Sequence, residues 1–473
     1  MFNNIFKFRV SLTILLSCFL ATYMAVYRPG YLVSPNFLGM LIGAQFLALI
    51  LWNYATRFFP FLLIAFLGAA IALPLQGVWT SARWLVLGAG ALVGLIIYMK
   101  DRQHFFGAFH VAAFFCVVAA MVSAQMSAYS SLALLKSFSL FLLFLYGASG
   151  ARLAASGRTA QFSSGLLLGF ELLVYFTAAA YLVVHYELFG NPNSLGALMG
   201  VAAVPIMLWG VLVSDKAIVR RRRTFALCLA ILLLLVSYSR ASIAAAIISC
   251  VLLCIVARRY KLLVQGSAIA ILLAVLVVVL VPPQTEKSAS VPSAFLYKGH
   301  QDSGVLGSRA SVWRQTISTI EEHPWFGTGF GTADALEGSS RDSALFSSTS
   351  NTSREHGNSY LAIAEGLGIV GMLPFAAIIL LLINNVRRVW FAAWHLRSVH
   401  SLAILFVSIL SAGLIHAAFE DWLFSVGYYL CVFFWALAFM LVDLMPATED
   451  RPALGSTSSR TYIDTFAAVP SAR

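Results

Sequence analysis

Charge is the first thing this sequence has little of. Asp, Glu, Lys and Arg make up 11% of its 473 residues, against about a quarter in soluble domains. With 60% of the chain hydrophobic, a soluble globular fold is excluded on composition. Cysteine is scarce too: six residues, at 18, 116, 228, 250, 254 and 431, each in an apolar run. That argues against a disulfide framework and against a thiolate metal site. The glycine-rich phosphate loop of ATP-driven machines and the HExxH helix of zinc hydrolases do not occur, so neither chemistry has sequence support. Acidic residues are the minority, 19 against 31 basic. A surplus of that size suggests nucleic acid until its distribution is read.

What the chain does have is a series of fourteen apolar segments. Runs such as Ala268–Val281 and Leu373–Ile383 are long enough, with their flanks, to cross a hydrocarbon layer of about 30 Å. The predicted fold class is therefore an all-α polytopic membrane protein of about 12–14 transmembrane helices with one large external loop. Its parts are N-terminal helices over 1–160, central helices over 161–281, the loop over 282–359, C-terminal helices over 360–443 and a flexible tail over 444–473. The first apolar stretch looks like a signal peptide but lacks a clean small-x-small cleavage site, so it reads as a retained helix. If that helix runs outward, alternation puts Arg57, Lys100, Arg102, Arg152, Arg158, Lys216, Arg220–Arg223, Arg258–Lys261 and Arg387–Arg397 on the inner side, as the positive-inside rule demands. The basic surplus is then a topology signal and an attraction to anionic membrane lipids, with no need for nucleic acid. The same alternation places Tyr186–Asn193, Ser239–Arg240, the 282–359 loop and His416–Asp421 together on the outer face.

Polar residues stand out where they are costly. Arg240 lies in the apolar run LLLLVSYSRASIAAAIISC. Its ordinary role would be a turn residue reaching headgroups; its functional role, a guanidinium fork holding a diphosphate. Ser239 is placed to cap the helix that follows. His356 precedes an apolar run, and an imidazole of near-neutral pKa suits proton abstraction from an acceptor hydroxyl, although an interfacial histidine needs no such role. Asn358 and Tyr360 are placed to orient His356 or a sugar. Glu365, about two turns deeper, is either a buried partner or part of the site. Asn191 and Asn193 bracket Pro192 in a helix-entry signal, with sugar or phosphate binding as the alternative. Lys136 is a second phosphate contact or a snorkelling side chain. In the loop, a short helix over Ala310–Thr319 stops at His323-Pro324; Arg309 and Arg314, five apart, need not share a face. The Ser/Thr-rich stretch 336–353 has little to pack and is expected to be mobile. His416, Glu420 and Asp421 are further polar residues at the outer edge.

Four stretches, taken in order, carry a resemblance: NPNSLG at 191–196, SRAS at 239–242, RASVWRQTISTIEEHPWFGTGFG at 309–331 and HGNSYLAIAEGLGIVG at 356–371. Together they resemble the O-antigen ligase/polymerase superfamily of bacterial envelope glycosyltransferases. The resemblance implies a GT-C-like multi-pass inner-membrane enzyme whose large loop covers a site facing the periplasm. It implies inverting transfer of a glycan from an undecaprenyl diphosphate carrier, without metal or nucleotide cofactor, alongside envelope polysaccharide assembly partners. The acceptor would be lipid A-core in a ligase, or a growing polysaccharide on another lipid-linked repeat unit in an O-antigen or exopolysaccharide polymerase. It carries the arginine of the family's Ser-Arg element onto Arg240, and the histidine before its Asn-x-Tyr-Leu element onto His356. The family usually has Asn directly after that histidine; here Gly357 intervenes, which puts the local geometry in question. For a second phosphate-binding arginine, Arg309 and Arg314 are the candidates. A rival of another class, a transporter of lipid-linked sugars, would gather polar groups near the membrane midplane; here they gather at the outer edge.

Overall fold

The computed structural model describes residues 35–50, 58–71, 76–100, 106–280, 307–332, 356–395 and 399–445. The expected first helix at 10–27, the mobile stretch 336–353 and nearly all of the tail lie outside the described residues.

Among the described residues every regular element is helical. In chain order these are α1 (Pro35–Ile50), α2 (Phe58–Ala70), α3 (Gln76–Lys100), α4 (Ala108–Met126) and α5 (Ser130–Tyr146, continued by a π-helical turn and Arg152–Ala155). Then come α6 (Thr159–Ala178), α7 (Pro192–Ala197, continued through a π-helical turn into Val204–Leu212), α8 (Ala217–Val236), α9 (Arg240–Val256) and α10 (Tyr260–Leu280). The loop helix α11 (Gly307–Glu322) extends beyond the expected Ala310–Thr319 at both ends. It is followed by α12 (Ser359–His395), α13 (Ser401–His416) and α14 (Tyr429–Asp443). Six helical stretches, Gln76–Ile97, Ala108–Met126, Ser130–Ala155, Thr159–Val183, Pro192–Leu212 and Ser359–His395, are long and apolar enough to cross a membrane. Helices are the natural result for such a sequence, because in hydrocarbon each backbone N–H and C=O must find its partner within the segment. The protein is thus all-α, and these six helices are consistent with a multi-pass membrane protein.

The α7, α13 and α14 helices are the most enclosed. Nearly all of α14 is buried, and Trp435 and Phe439 meet Phe144 of α5 edge to face at 5.1 and 5.9 Å. In contrast, α4 turns Val111, Phe114, Phe115, Val118 and Val122 outward, an apolar stripe suited to lipid. Contacts also sort the two ends of the bundle. Arg152, at the end of α5, meets Asp443, at the end of α14. Near the other ends of these helices, Lys136 meets Gly331 and Tyr429 meets Ser194.

One expectation fails in an informative way. The stretch from Tyr360 reads as an unbroken span, yet α12 is interrupted at Gly368, with φ 64° and ψ −174°. The HPWFGTG segment of the loop fills the break. Thr328 N and Gly329 N donate to the carbonyls of Glu365 and Gly366, both at 2.9 Å. Beyond the break, Ile369 N and Val370 N donate to Pro324 O at 2.8 Å and Trp325 O at 3.2 Å. A helix break exposes backbone groups with no intrahelical partner, and an apolar surround tolerates it only where other protein supplies the partners. A side chain at 368 would collide with the Trp325 backbone. From α4, Ser123 Oγ donates to Gly366 O at 2.8 Å and Ser127 Oγ to Thr328 O at 2.6 Å. The segment after α11 is thereby stitched into the bundle directly beside Glu365.

Candidate active site

Two of the quoted sequence elements meet first at α7 and α9. Asn191 caps its own helix, accepting from Asn193 N at 2.8 Å with Pro192 in the first turn. This is the capping role, and α7 carries it to the Ser-Arg turn: Gly196 and Gly200 pack directly on Ser239 and Ser242. Ser239 occupies the N-cap of α9 but makes no capping bond, contrary to expectation. Its hydroxyl is instead engaged by Ser242 Oγ at 2.7 Å. Arg240, half-buried, is the first residue of α9.

The loop helix and the start of α12 complete the cluster. Arg309 is ion-paired with Glu420, and its charge acts on both Arg240 and His416. Arg309 is thus near enough to Arg240 and His416 for its charge to be felt at both, behind the larger effect of their own burial. His356 is buried; its Nδ1 donates to Asp421 Oδ2 at 2.6 Å, and its Nε2 stands 3.3 Å from Glu365 Oε2, too poorly aligned for a hydrogen bond. Burial pushes the imidazole pKa down. The hydrogen bond to Asp421, the Glu365 contact and the charges of both carboxylates outweigh that and raise it to about 10. The sequence suggests a near-neutral base; two carboxylates flank this imidazole and favour its charged form.

Gly357 resolves the departure from the family pattern. It has φ +60°, and a Cβ there would lie 2.7 Å from Arg309 Nη1. Trp313 Nε1 donates to its carbonyl at 3.3 Å. Glycine therefore allows α11 to bring Arg309 against the histidine turn. Ser359, next in α12, donates to Glu420 O at 2.7 Å and accepts from Trp422 N and Leu423 N at 3.0 and 3.1 Å. That fixes the turn carrying Glu420 and Asp421 against His356.

Arg240, Arg309, His356 and Glu365 are thus brought together with Glu420 and Asp421. Other candidates serve elsewhere. Asn358 Oδ1 accepts from Tyr360 N and Leu361 N at 2.9 and 3.2 Å, capping α12, and Tyr360 OH donates to Leu414 O at 2.8 Å. Lys136 donates to Gly331 O at 2.7 Å, anchoring the loop. Arg314 is exposed and bonds back to Ala310 O of its own helix. Sequence reasoning noted Glu420 and Asp421 only as edge residues, since nothing local links them to a histidine 65 positions away. It missed Ser123 and Ser127 altogether, and gave Ser242 and Ser359 no role of their own although both lie in quoted stretches; small hydroxyls beside apolar runs carry little signal. Among the described residues no group of three or more His, Cys, Asp or Glu side chains is arranged to hold a metal ion.

The arrangement defines a class: an all-α protein with helices long and apolar enough to cross a membrane, a cationic and acidic cluster at one end of its bundle, and a loop threaded into a broken helix. Residues 224–376 match the family model described as O-Antigen ligase, which bears out the resemblance read from the sequence. The matched stretch holds Arg240, Arg309, His356 and Glu365 and ends before Glu420 and Asp421. No curated protein matches the chain.

Proposed function

We propose that this protein is an inverting glycosyltransferase of the bacterial inner membrane. It moves a glycan from an undecaprenyl diphosphate carrier to lipid A-core, at a site facing the periplasm in a GT-C-like bundle of about 12–14 spans. The observation that carries the reading is the convergence of Arg240 and Arg309 beside the carboxylate-clamped His356, from three stretches far apart in sequence. A diphosphate is already a good leaving group, so catalysis must chiefly hold negative charge as the anomeric C–O bond breaks. Two guanidiniums suit that role, because a diphosphate accepts paired hydrogen bonds from each fork. The acceptor hydroxyl attacks the opposite face of the anomeric carbon, and its proton passes to the Asp421 carboxylate, which His356 holds in place. Asp421 is the reachable member, with 28% of its side chain exposed against 5% for His356. Glu365 keeps the imidazole charged and fixed.

The family description favours the ligase acceptor. The test is reconstitution of the full chain with an undecaprenyl-diphosphate-linked glycan and, in separate reactions, lipid A-core or a second lipid-linked repeat unit. Transfer to lipid A-core, lost in Arg240→Ala, is expected. Transfer only to the repeat unit would make the protein a polymerase, and movement of the intact lipid across the bilayer without bond formation would make it a transporter. Product anomer analysis reads inversion directly.

A further inference from the structure

Beneath the cluster runs a chain of buried hydrogen bonds that the mechanism above does not use. Trp422 Nε1 donates to His416 Nδ1 at 2.7 Å, His416 Nε2 lies 3.0 Å from Ser242 Oγ, and Ser242 Oγ lies 2.7 Å from Ser239 Oγ. Its ends are the two arms of the site: Trp422 follows Asp421, and Ser239 precedes Arg240. The direction of the chain follows from elementary chemistry. An indole nitrogen can only donate, so His416 Nδ1 carries no proton. The ring is then the neutral tautomer with its proton on Nε2, and Nε2 donates to Ser242. Ser242 and His416 are fully enclosed. If Ser239 donated to Ser242, the Ser242 proton would be buried with no acceptor, which is costly. If Ser242 donates to Ser239, the one uncommitted proton of the chain is the Ser239 hydroxyl, at the end next to Arg240.

We propose that His416 is a positioning residue: locked in its Nε2–H form by Trp422, it gives the chain one direction, so that Ser239 donates its hydroxyl proton to a phosphate oxygen of the lipid diphosphate beside Arg240. This rests on the diphosphate reading of Arg240, and it adds a neutral donor, set by a relay from the opposite arm of the site. The same relay makes the Asp421–Trp422 turn and the Ser-Arg turn mechanically one unit.

The experiment measures binding of undecaprenyl diphosphate to the full chain in nanodiscs. Ser239→Ala should weaken binding about tenfold to a hundredfold, the scale of a hydrogen bond to a charged group, and Ser242→Ala should weaken it by a smaller but measurable factor, because the Ser239 hydroxyl stays but loses the donor that orients it. The double variant should be no weaker than Ser239→Ala alone, because without the Ser239 hydroxyl there is nothing left for Ser242 to orient. His416→Gln keeps an N–H donor facing Ser242 and should bind more tightly than His416→Leu. Where loss of the enclosed ring prevents His416→Leu from folding, the two serine variants and their double decide the matter. Wild-type affinity in Ser242→Ala, or additive losses in the double variant, would overturn the relay. Arg240→Ala separates this from the underlying reading: if it binds the diphosphate normally, the site assignment itself fails. If it loses binding while Ser242→Ala does not, only the relay fails.

Discussion

The two ends of the helical bundle both gather arginines and acids, but they treat charge differently. At the end away from the loop, the Arg152 guanidinium is matched to Asp443 through Nε and Nη2, with Nη1 3.0 Å from His110 Nε2. In the basic run at the start of α8, Arg222 reaches Glu171 at 2.6 Å. Each of these cations meets a carboxylate of its own. At the loop end, Arg309 has Glu420 but also acts on Arg240, and one imidazolium is shared by two carboxylates. A buried arginine is therefore not a site by virtue of being buried. What distinguishes the loop end is two carboxylates set against one buried histidine.

The sharpest way to break this comparison is to delete one arginine at each end. Arg240→Ala should abolish glycan transfer, at least about 10³-fold, while thermal unfolding in detergent stays near wild type. Arg152→Ala should do the reverse. Leaving Asp443 without its partner is expected to cost about 3–5 kcal/mol, seen as a lower unfolding temperature, with normal turnover per folded molecule. Equal loss of stability in both variants would erase the distinction between a structural and a functional arginine.

His356 sharpens it at the level of protons. His356→Ala should depress turnover about 10²–10⁴-fold and spare carrier binding. Because its pKa is raised from 6.5 to about 10, the imidazole is charged throughout neutral pH, and the transfer rate should be flat from pH 6 to 8; a rise through pH 6–7 would restore a neutral imidazole base. The same shift fixes the sign of a stability effect. A folded pKa above the unfolded one contributes stability that is fully present below about pH 6.5 and is lost as pH climbs towards about 10. The gap in unfolding temperature between wild type and His356→Gln should therefore narrow over that window.

Much of this was legible in the sequence, for identifiable reasons. Hydropathy marks helices because hydrocarbon forces them. Alternation brought residues near 191, 240, 356 and 420 to one end, and their contacts agree. The broken α12 was not legible, because Gly366, Gly368 and Pro374 also occur in continuous membrane helices, and the partner that fills the gap lies some 40 residues upstream. The charge of His356 was hidden for a related reason: the carboxylate that dominates it belongs to a turn held by Ser359, a contact no local pattern announces.

A smaller effect is expected at Gly357. Replacing it with Ala places a Cβ at φ +60° against Arg309, a strain of about 1–3 kcal/mol. If part of that strain moves the Arg309 guanidinium, donor KM should rise about tenfold with acceptor KM unchanged. A uniform loss of expression with normal kinetics in the surviving protein would show that Gly357 serves the turn alone and not the placing of Arg309.

The smallest expected effect separates the two loop arginines that sequence left equivalent. Arg314 is exposed on α11 and hydrogen-bonds within its own helix, whereas Arg309 is half-buried and paired with Glu420. Exposed substitutions away from special features usually stay within about 0.5 kcal/mol, so Arg314→Ala should change donor KM by no more than about twofold. Arg309→Ala removes a cation from the field of Arg240 and leaves Glu420 without it, and donor KM should rise at least about tenfold. Both variants keep α11 helical, because alanine is the strongest helix former, so circular dichroism should not tell them apart while kinetics should. If Arg314→Ala proves the more damaging, the second phosphate contact belongs to the outer face of α11, and the loop must then approach the donor in an arrangement different from the one that pairs Arg309 with Glu420.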